Sequence, residues 1–105
     1  EATLDLLSRH PDLRGIYCAG GGMEGAIAAV REARAPGEVA LVVNELTPES
    51  RAALISRHVT MVIGTPLQRL CDDLIRLATE AVSGGMLPVQ GQHFLQPDLF
   101  LPESV

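Results

Sequence analysis

Residues 18–25 read Cys-Ala-Gly-Gly-Gly-Met-Glu-Gly and place Gly20, Gly22 and Gly25 in the spacing G-x-G-x-x-G, directly after the apolar run Gly15-Ile16-Tyr17. At that spacing, glycines let backbone N–H groups approach a phosphate closely where a helix begins, which is the chemistry of a dinucleotide fingerprint. Glu45 stands twenty residues beyond Gly25, where a carboxylate could meet a ribose hydroxyl. The same glycines could equally turn the chain and line a pocket for another small polar ligand.

Other reactive constellations are thinner. No serine sits in G-x-S-x-G, and Cys18 and Cys71 are far apart and form no C-x-x-C. Two buried, reduced thiols are expected, and they favour the cytoplasm. Asp72-Asp73 lies within helical reach of Arg69 and Arg76 and reads as a charged surface. His93 stands alone without a second metal ligand, and the two Ser-Arg-His triplets ending at His10 and His58 complement helix C-termini. No nucleophile, paired general base or metal set is nominated, so neither enzymatic chemistry nor a cofactor is expected within this segment.

The elements that must position the glycines can be read from periodicity and punctuation. A helix over Thr3–Arg9 is stopped before Pro11, and a strand over 14–19 follows. A helix from Met23 to Arg34 turns Ala26, Ile27, Val30 and Ala33 inward and Glu24, Arg31 and Arg34 outward. "EVALVV" (38–43) is a strand covered on both faces. Thr47-Pro48-Glu49 starts a helix ending near His58, and "VTMVIG" (59–64) is the third strand. Thr65 and Gln68 form a capping box around Pro66. The helix behind it carries Leu67, Leu70, Cys71, Leu74, Ala78, Ala81 and Val82 on one stripe, and Gly84-Gly85 stops it. Extended pieces over 89–95 and 98–101 close the chain.

This alternation predicts an α/β fold, a three-layer parallel sheet with helices on both faces. A helix also precedes the first strand, whereas a dinucleotide fingerprint normally sits on the first strand of its fold. Ligands of parallel sheets bind beyond the carboxyl ends of the strands. Three loops fall there, each running into a helix start: Gly20-Gly21-Gly22-Met23, Asn44-Glu45-Leu46-Thr47 and Gly64-Thr65-Pro66. Composition agrees, because 47% of the 105 residues are hydrophobic and only Tyr17, Phe94 and Phe100 are aromatic. That composition makes an aliphatic core. The net charge of −5, with no lysine, argues against this segment gripping nucleic acid. No signal peptide or membrane-length apolar run is present, and the chain starts in mid-pattern without Met, as a fragment would.

Three stretches, "HPDLRGIYCAGGGMEGAIAAVREA", "VALVVNELTPESRAALISRHVTMVIGTPLQRLCDDLIRLATEAVSGG" and "FLQPDLFLPES", together resemble the C-terminal part of the sensor domain of lactose-repressor-type (LacI-type) transcriptional regulators. The resemblance implies a periplasmic-binding-protein-like (type I) fold, with residues 1–105 the C-terminal portion of an effector-sensing domain of two lobes. It implies crossovers between lobes near Thr65-Pro66 and Gln96-Pro97, with helix 67–83 in the other lobe. It also implies a sugar-like effector, a homodimer, no membrane, and operator DNA bound only through an N-terminal head absent from this chain. Carried over by position, Gly20, Gly21, Gly22 and Met23 stand where the family commonly has an Asn-Asp pair, so this loop offers backbone N–H groups instead. Asn44, Glu45 and Thr65 complete the implied ligand set. A periplasmic sugar receptor of a transporter shares the fold and is the alternative, with a nucleotide-binding enzyme behind it.

Overall fold

The structure, a computed structural model, describes residues 2–84 and 94–105. Its elements run α1 (Ala2–Arg9), β1 (Gly15–Cys18), α2 (Met23–Ala33), β2 (Ala40–Asn44), α3 (Pro48–Ile55), β3 (Met61–Gly64), α4 (Leu67–Val82), β4 (Asp98–Phe100) and a 3-10 turn (Pro102–Ser104). The α/β alternation expected from sequence is therefore present. Most of the extended piece expected over 89–95, with His93 and the glycine stop at Gly85, lies outside the described residues; Phe94 and Leu95 are not in a strand. The chain divides into two units, Glu1–Gly64 with Leu99–Val105, and Thr65–Asp98.

In the first unit the sheet order is β1-β2-β3-β4. β1 and β2 pair in parallel with Ile16 opposite Leu41 and Cys18 opposite Val43, and β2 and β3 pair in parallel with Val43 opposite Val62. Both crossovers step the same way across the sheet, so the right-handed rule puts α2 and α3 on one face. Leu41, Val43 and Val62 point into that face and are wholly buried, with Ala26, Ile27 and Val30 of α2 and Ala53 and Leu54 of α3 above them. Leu7 brings α1 into the same core. On the other face Val42, Met61 and Ile63 are half-buried and Tyr17 is exposed. The expected double covering of "EVALVV" is thus limited, within this unit, to one face.

Several local expectations need correction. β2 begins at Ala40 instead of residue 38 because Glu38 belongs to a turn, its carboxylate accepting from the Ala35 N–H at 2.9 Å. Arg34, expected to face outward, is half-buried; its guanidinium donates to the carbonyls of Leu7 and Ala33 at 3.1 and 3.0 Å, fastening α1 to the end of α2. The β2–α3 turn is as expected: Thr47 Oγ1 accepts from Ser50 N–H and Ser50 Oγ accepts from Thr47 N–H, a reciprocal cap. Phe100 packs over Gly64, whose absent side chain leaves room for the ring; a Cβ there would lie 2.7 Å from Phe100 Cε2.

In the second unit, α4 starts at Leu67 behind Pro66 without a side-chain cap. The Thr65–Gln68 capping box does not form. Gln68 instead donates to the Asp72 carboxylate one turn on, at 3.3 Å. Arg76 meets Asp73 and Glu80 as the charge spacing implies, and Arg69 pairs with Asp98. No residue of α4 is buried, and its apolar stripe stands open, with Leu67, Leu74 and Val82 exposed by 66%, 64% and 88%. Cys71 shares that exposure, and Cys18 is half-buried, so two buried thiols are not what the fold provides; both are free. Among the described residues no helix is long and apolar enough to cross a membrane.

Gly64→Ala should destabilise the protein by about 1–3 kcal/mol, the usual range for forcing extra volume into a packed site. Denaturant titration of wild type and variant measures the difference, and an unchanged midpoint would show that the Phe100 ring yields freely. The open stripe of α4 should make the isolated 105-residue segment self-associate. Sedimentation would show this, and replacing Leu67 and Leu74 together by Asp should restore the monomer.

Candidate functional site: a cleft at the carboxyl ends of β1 and β2

Parallel pairing brings the ends of β1 and β2 side by side, and each runs through a short loop into a helix. Between these loops lies a cleft of about 280 Å³ lined by Ala19, Gly20, Gly21, Met23, Glu24, Asn44, Glu45 and Thr47. Of the residues nominated from sequence, Gly20, Gly21, Met23, Asn44 and Glu45 come together here. Gly22 is not on the wall, and neither is Thr65, which follows β3 in the other unit.

Each residue's contribution follows from its local structure. Gly22 caps α2 with φ of +90°, a left-handed conformation that favours glycine. Gly20 and Gly21 have no such φ, and a Cβ on either would meet nothing within 4 Å. They are open to a ligand without being required by the fold. Met23 lines the cleft but is 6% exposed, so its side chain serves chiefly the core. The Asn44 amide is engaged at both ends, Nδ2 donating to the Ala19 carbonyl at 2.9 Å and Oδ1 accepting from the Tyr17 hydroxyl at 3.3 Å. Thr47 is committed to its cap.

Glu45 is different. Its backbone is fixed at φ +74°, a left-handed conformation uncommon for a residue with a side chain, and such positions collect at functional sites. Its N–H donates to the Ile63 carbonyl at 2.8 Å and its carbonyl accepts from Ser50 Oγ at 2.9 Å. Ser50 is fully buried. The Glu45 side chain is exposed at the cleft and has no ion-pair partner among the described residues. Glu24, in the first turn of α2, adds a second carboxylate. Among the described residues no arginine or histidine lines the cleft. Sequence reasoning left out Ala19 and Glu24, and it placed Thr47 on a rim loop without nominating it as a ligand contact. Glu24 follows the glycine loop immediately, and that adjacency was the available signal.

The cleft can therefore offer backbone N–H groups at the start of α2 and one pinned carboxylate able to accept paired hydrogen bonds from hydroxyls. It fits a pyrophosphate poorly. The third glycine of a dinucleotide fingerprint exists to let helix and strand pack closely. Gly25 is exposed, with nothing within 4 Å of a Cβ built on it. Among the described residues no group of His, Cys, Asp and Glu could hold a metal ion.

Comparison with known proteins bears on the fold. No curated protein matches the chain by sequence. Among solved structures, a glucose-galactose binding protein from Geobacillus stearothermophilus superposes with a TM-score of 0.85 at 14% identity, over 99% of this chain and 37% of that one. A periplasmic solute binding protein of an ABC transporter from Actinobacillus succinogenes, with bound D-allose, gives 0.80 at 20% identity over 98% and 36%. A putative LacI transcriptional regulator from Bacteroides fragilis gives 0.61 at 18% identity over 94% and 34%. The chain thus spans about a third of the length of these structures, and at such identities the likeness is one of fold. A family model for the periplasmic binding protein domain matches residues 1–86, and the chain belongs to that family.

Proposed function

We propose that this chain is the C-terminal portion of the sensor of a LacI-type transcription regulator, and that its cleft binds a sugar or similar polyol without chemistry. The observation that carries the ligand class is Glu45, a carboxylate with a doubly pinned backbone at the mouth of a cleft whose other polar side chains are largely committed. The sugar ligands named for the structural neighbours support the class. The regulator reading draws on the sequence resemblance and on the Bacteroides neighbour. Division of the chain at Thr65 and after Asp98 is consistent with crossovers between two lobes. In this reading α4 belongs to the other lobe, Thr65 lies beside a crossover, and the glycine loop and Asn44-Glu45 form one wall of the interlobe cleft.

A ligand held between lobes acts by its differential affinity for their arrangements, and a regulator passes that bias to heads bound to operator DNA. A homodimer in the cytoplasm follows from this reading. The second reading is a periplasmic sugar receptor of a transporter, favoured by the higher TM-scores of the two solute-binding neighbours. The gene upstream of Glu1 separates the two, since a helix-turn-helix supports the regulator and a cleavable signal peptide the receptor. Operator binding that changes with sugar would establish the regulator directly.

Titration of the full-length protein by calorimetry with neutral hexoses, including D-glucose, D-galactose and D-allose, tests the ligand class. At least one neutral sugar should bind saturably, and its phosphate ester should bind at least about tenfold more weakly, because two carboxylates and, among the described residues, no cation line this wall. Glu45→Gln keeps the shape and removes the charge. It should weaken the neutral sugar by about tenfold or more, the worth of a hydrogen bond to a charged group, and narrow the gap to the phosphate ester. Saturable dinucleotide binding with no response to any sugar would overturn the proposal in favour of a nucleotide-binding enzyme.

A further inference from the structure

Asn44 ends β2 beside the cleft and, by residue type, is an obvious partner for a ligand hydroxyl. Its contacts indicate another role. The Ala19 carbonyl can only accept, so it dictates which end of the amide faces it, and Nδ2 donates there at 2.9 Å. Oδ1 is thereby turned to the Tyr17 hydroxyl, which donates to it at 3.3 Å. Reversing the amide would set two oxygens against each other at Ala19. Tyr17 and Asn44 share one face of the sheet, with Tyr17 opposite Val42 in register, so the chain Tyr17–Asn44–Ala19 runs from β1 to β2 and back to the loop leaving β1. On the other face Cys18 Sγ lies 3.8 and 3.9 Å from the carbonyls of Gly20 and Gly21. Among the described residues no other hydrogen bond holds Gly20 or Gly21, and a Cβ on either would meet open space.

We propose that Asn44 is a positioning residue that latches the glycine loop to the end of β2, with Tyr17 orienting the latch, and so fixes the distance between the loop's backbone and Glu45 instead of binding the ligand itself. The proposal rests on the reading of this cleft as a sugar site, and it names how one wall of that site is kept in shape. A loop of small residues has many conformations available, and a wall that must be ordered on binding loses affinity. The latch removes that cost before the ligand arrives.

The experiment uses the full-length protein and three variants: Asn44→Asp, Asn44→Leu and Tyr17→Phe. Asp at 44 can accept from Tyr17 and from a ligand hydroxyl, but it cannot donate to Ala19. A latch therefore makes Asn44→Asp behave like Asn44→Leu. Both should lower the NMR backbone order parameters of Gly20–Gly22 from about 0.85 toward about 0.6 and weaken the best neutral hexose by about five- to tenfold, as expected for one lost hydrogen bond. Order parameters in β2 and α3 should be unchanged. Tyr17→Phe should act in the same direction by about threefold or less. Wild-type order parameters at Gly20–Gly22 in Asn44→Asp would overturn the proposal, whether sugar affinity is retained or lost, because Asn44 would then act only by direct contact or not at all. Should the wild type bind no sugar, the reading of the cleft fails, while the order parameters at Gly20–Gly22 still decide whether the latch exists.

Discussion

Everything that can be described around the cleft depends on β2 being paired in parallel on both of its edges. Parallel strands cannot be joined by a hairpin, so each connection must cross over, and here a helix makes each crossing. Leu41 and Val43 hold the central strand by complete burial beneath α2 and α3. With both crossovers right-handed and running in one direction, β1 and β2 deliver their carboxyl ends, and the helices that follow them, to a single rim. The cleft is the consequence of that geometry. Shifting β2 by one residue would exchange its buried and half-buried faces and turn Asn44 away from Tyr17.

The rim is unusual in how little of its polarity is free. Thr47 and Ser50 cap each other, and Ser50 also holds the Glu45 carbonyl. Asn44 reaches back to Ala19. Such bonds spend polar groups on shaping the wall, and they leave the backbone at the start of α2, together with Glu24 and Glu45, to face outward. A wall with this make-up suits a neutral ligand rich in hydroxyl groups better than a phosphate, although a helix start alone would favour the anion. The carboxylates decide between them.

The sheet, its parallel sense and the two loops of the cleft were legible because apolar runs and Pro and Gly punctuation mark them unambiguously. Leu41 and Val43 announce a strand, and Thr47-Pro48-Glu49 announces a helix start. What escaped was set by contacts distant in sequence. Arg34 looks like a surface residue on a helical wheel, yet the Leu7 carbonyl, 27 residues earlier, draws it in. Asn44 and Thr47 look like available ligands until their partners are known. Thr65 and Gln68 had the spacing of a cap, but Gln68 turned to Asp72. The stripe of α4 was read correctly as a pattern. Burial, which the pattern implies, is a property of surroundings that spacing cannot report.

The doubly pinned backbone of Glu45 bears on the entropy of recognition. With its N–H bonded to Ile63 and its carbonyl to Ser50, the main chain is already ordered before any ligand is present. Only the carboxylate's rotamers remain to be lost, a cost well below that of fixing a backbone residue. A molecule meeting this wall thus finds a rigid acceptor whose position does not adapt to it. Tolerance for ligands of different size has to come from parts of the protein that move as bodies, while the wall itself acts as a fixed gauge.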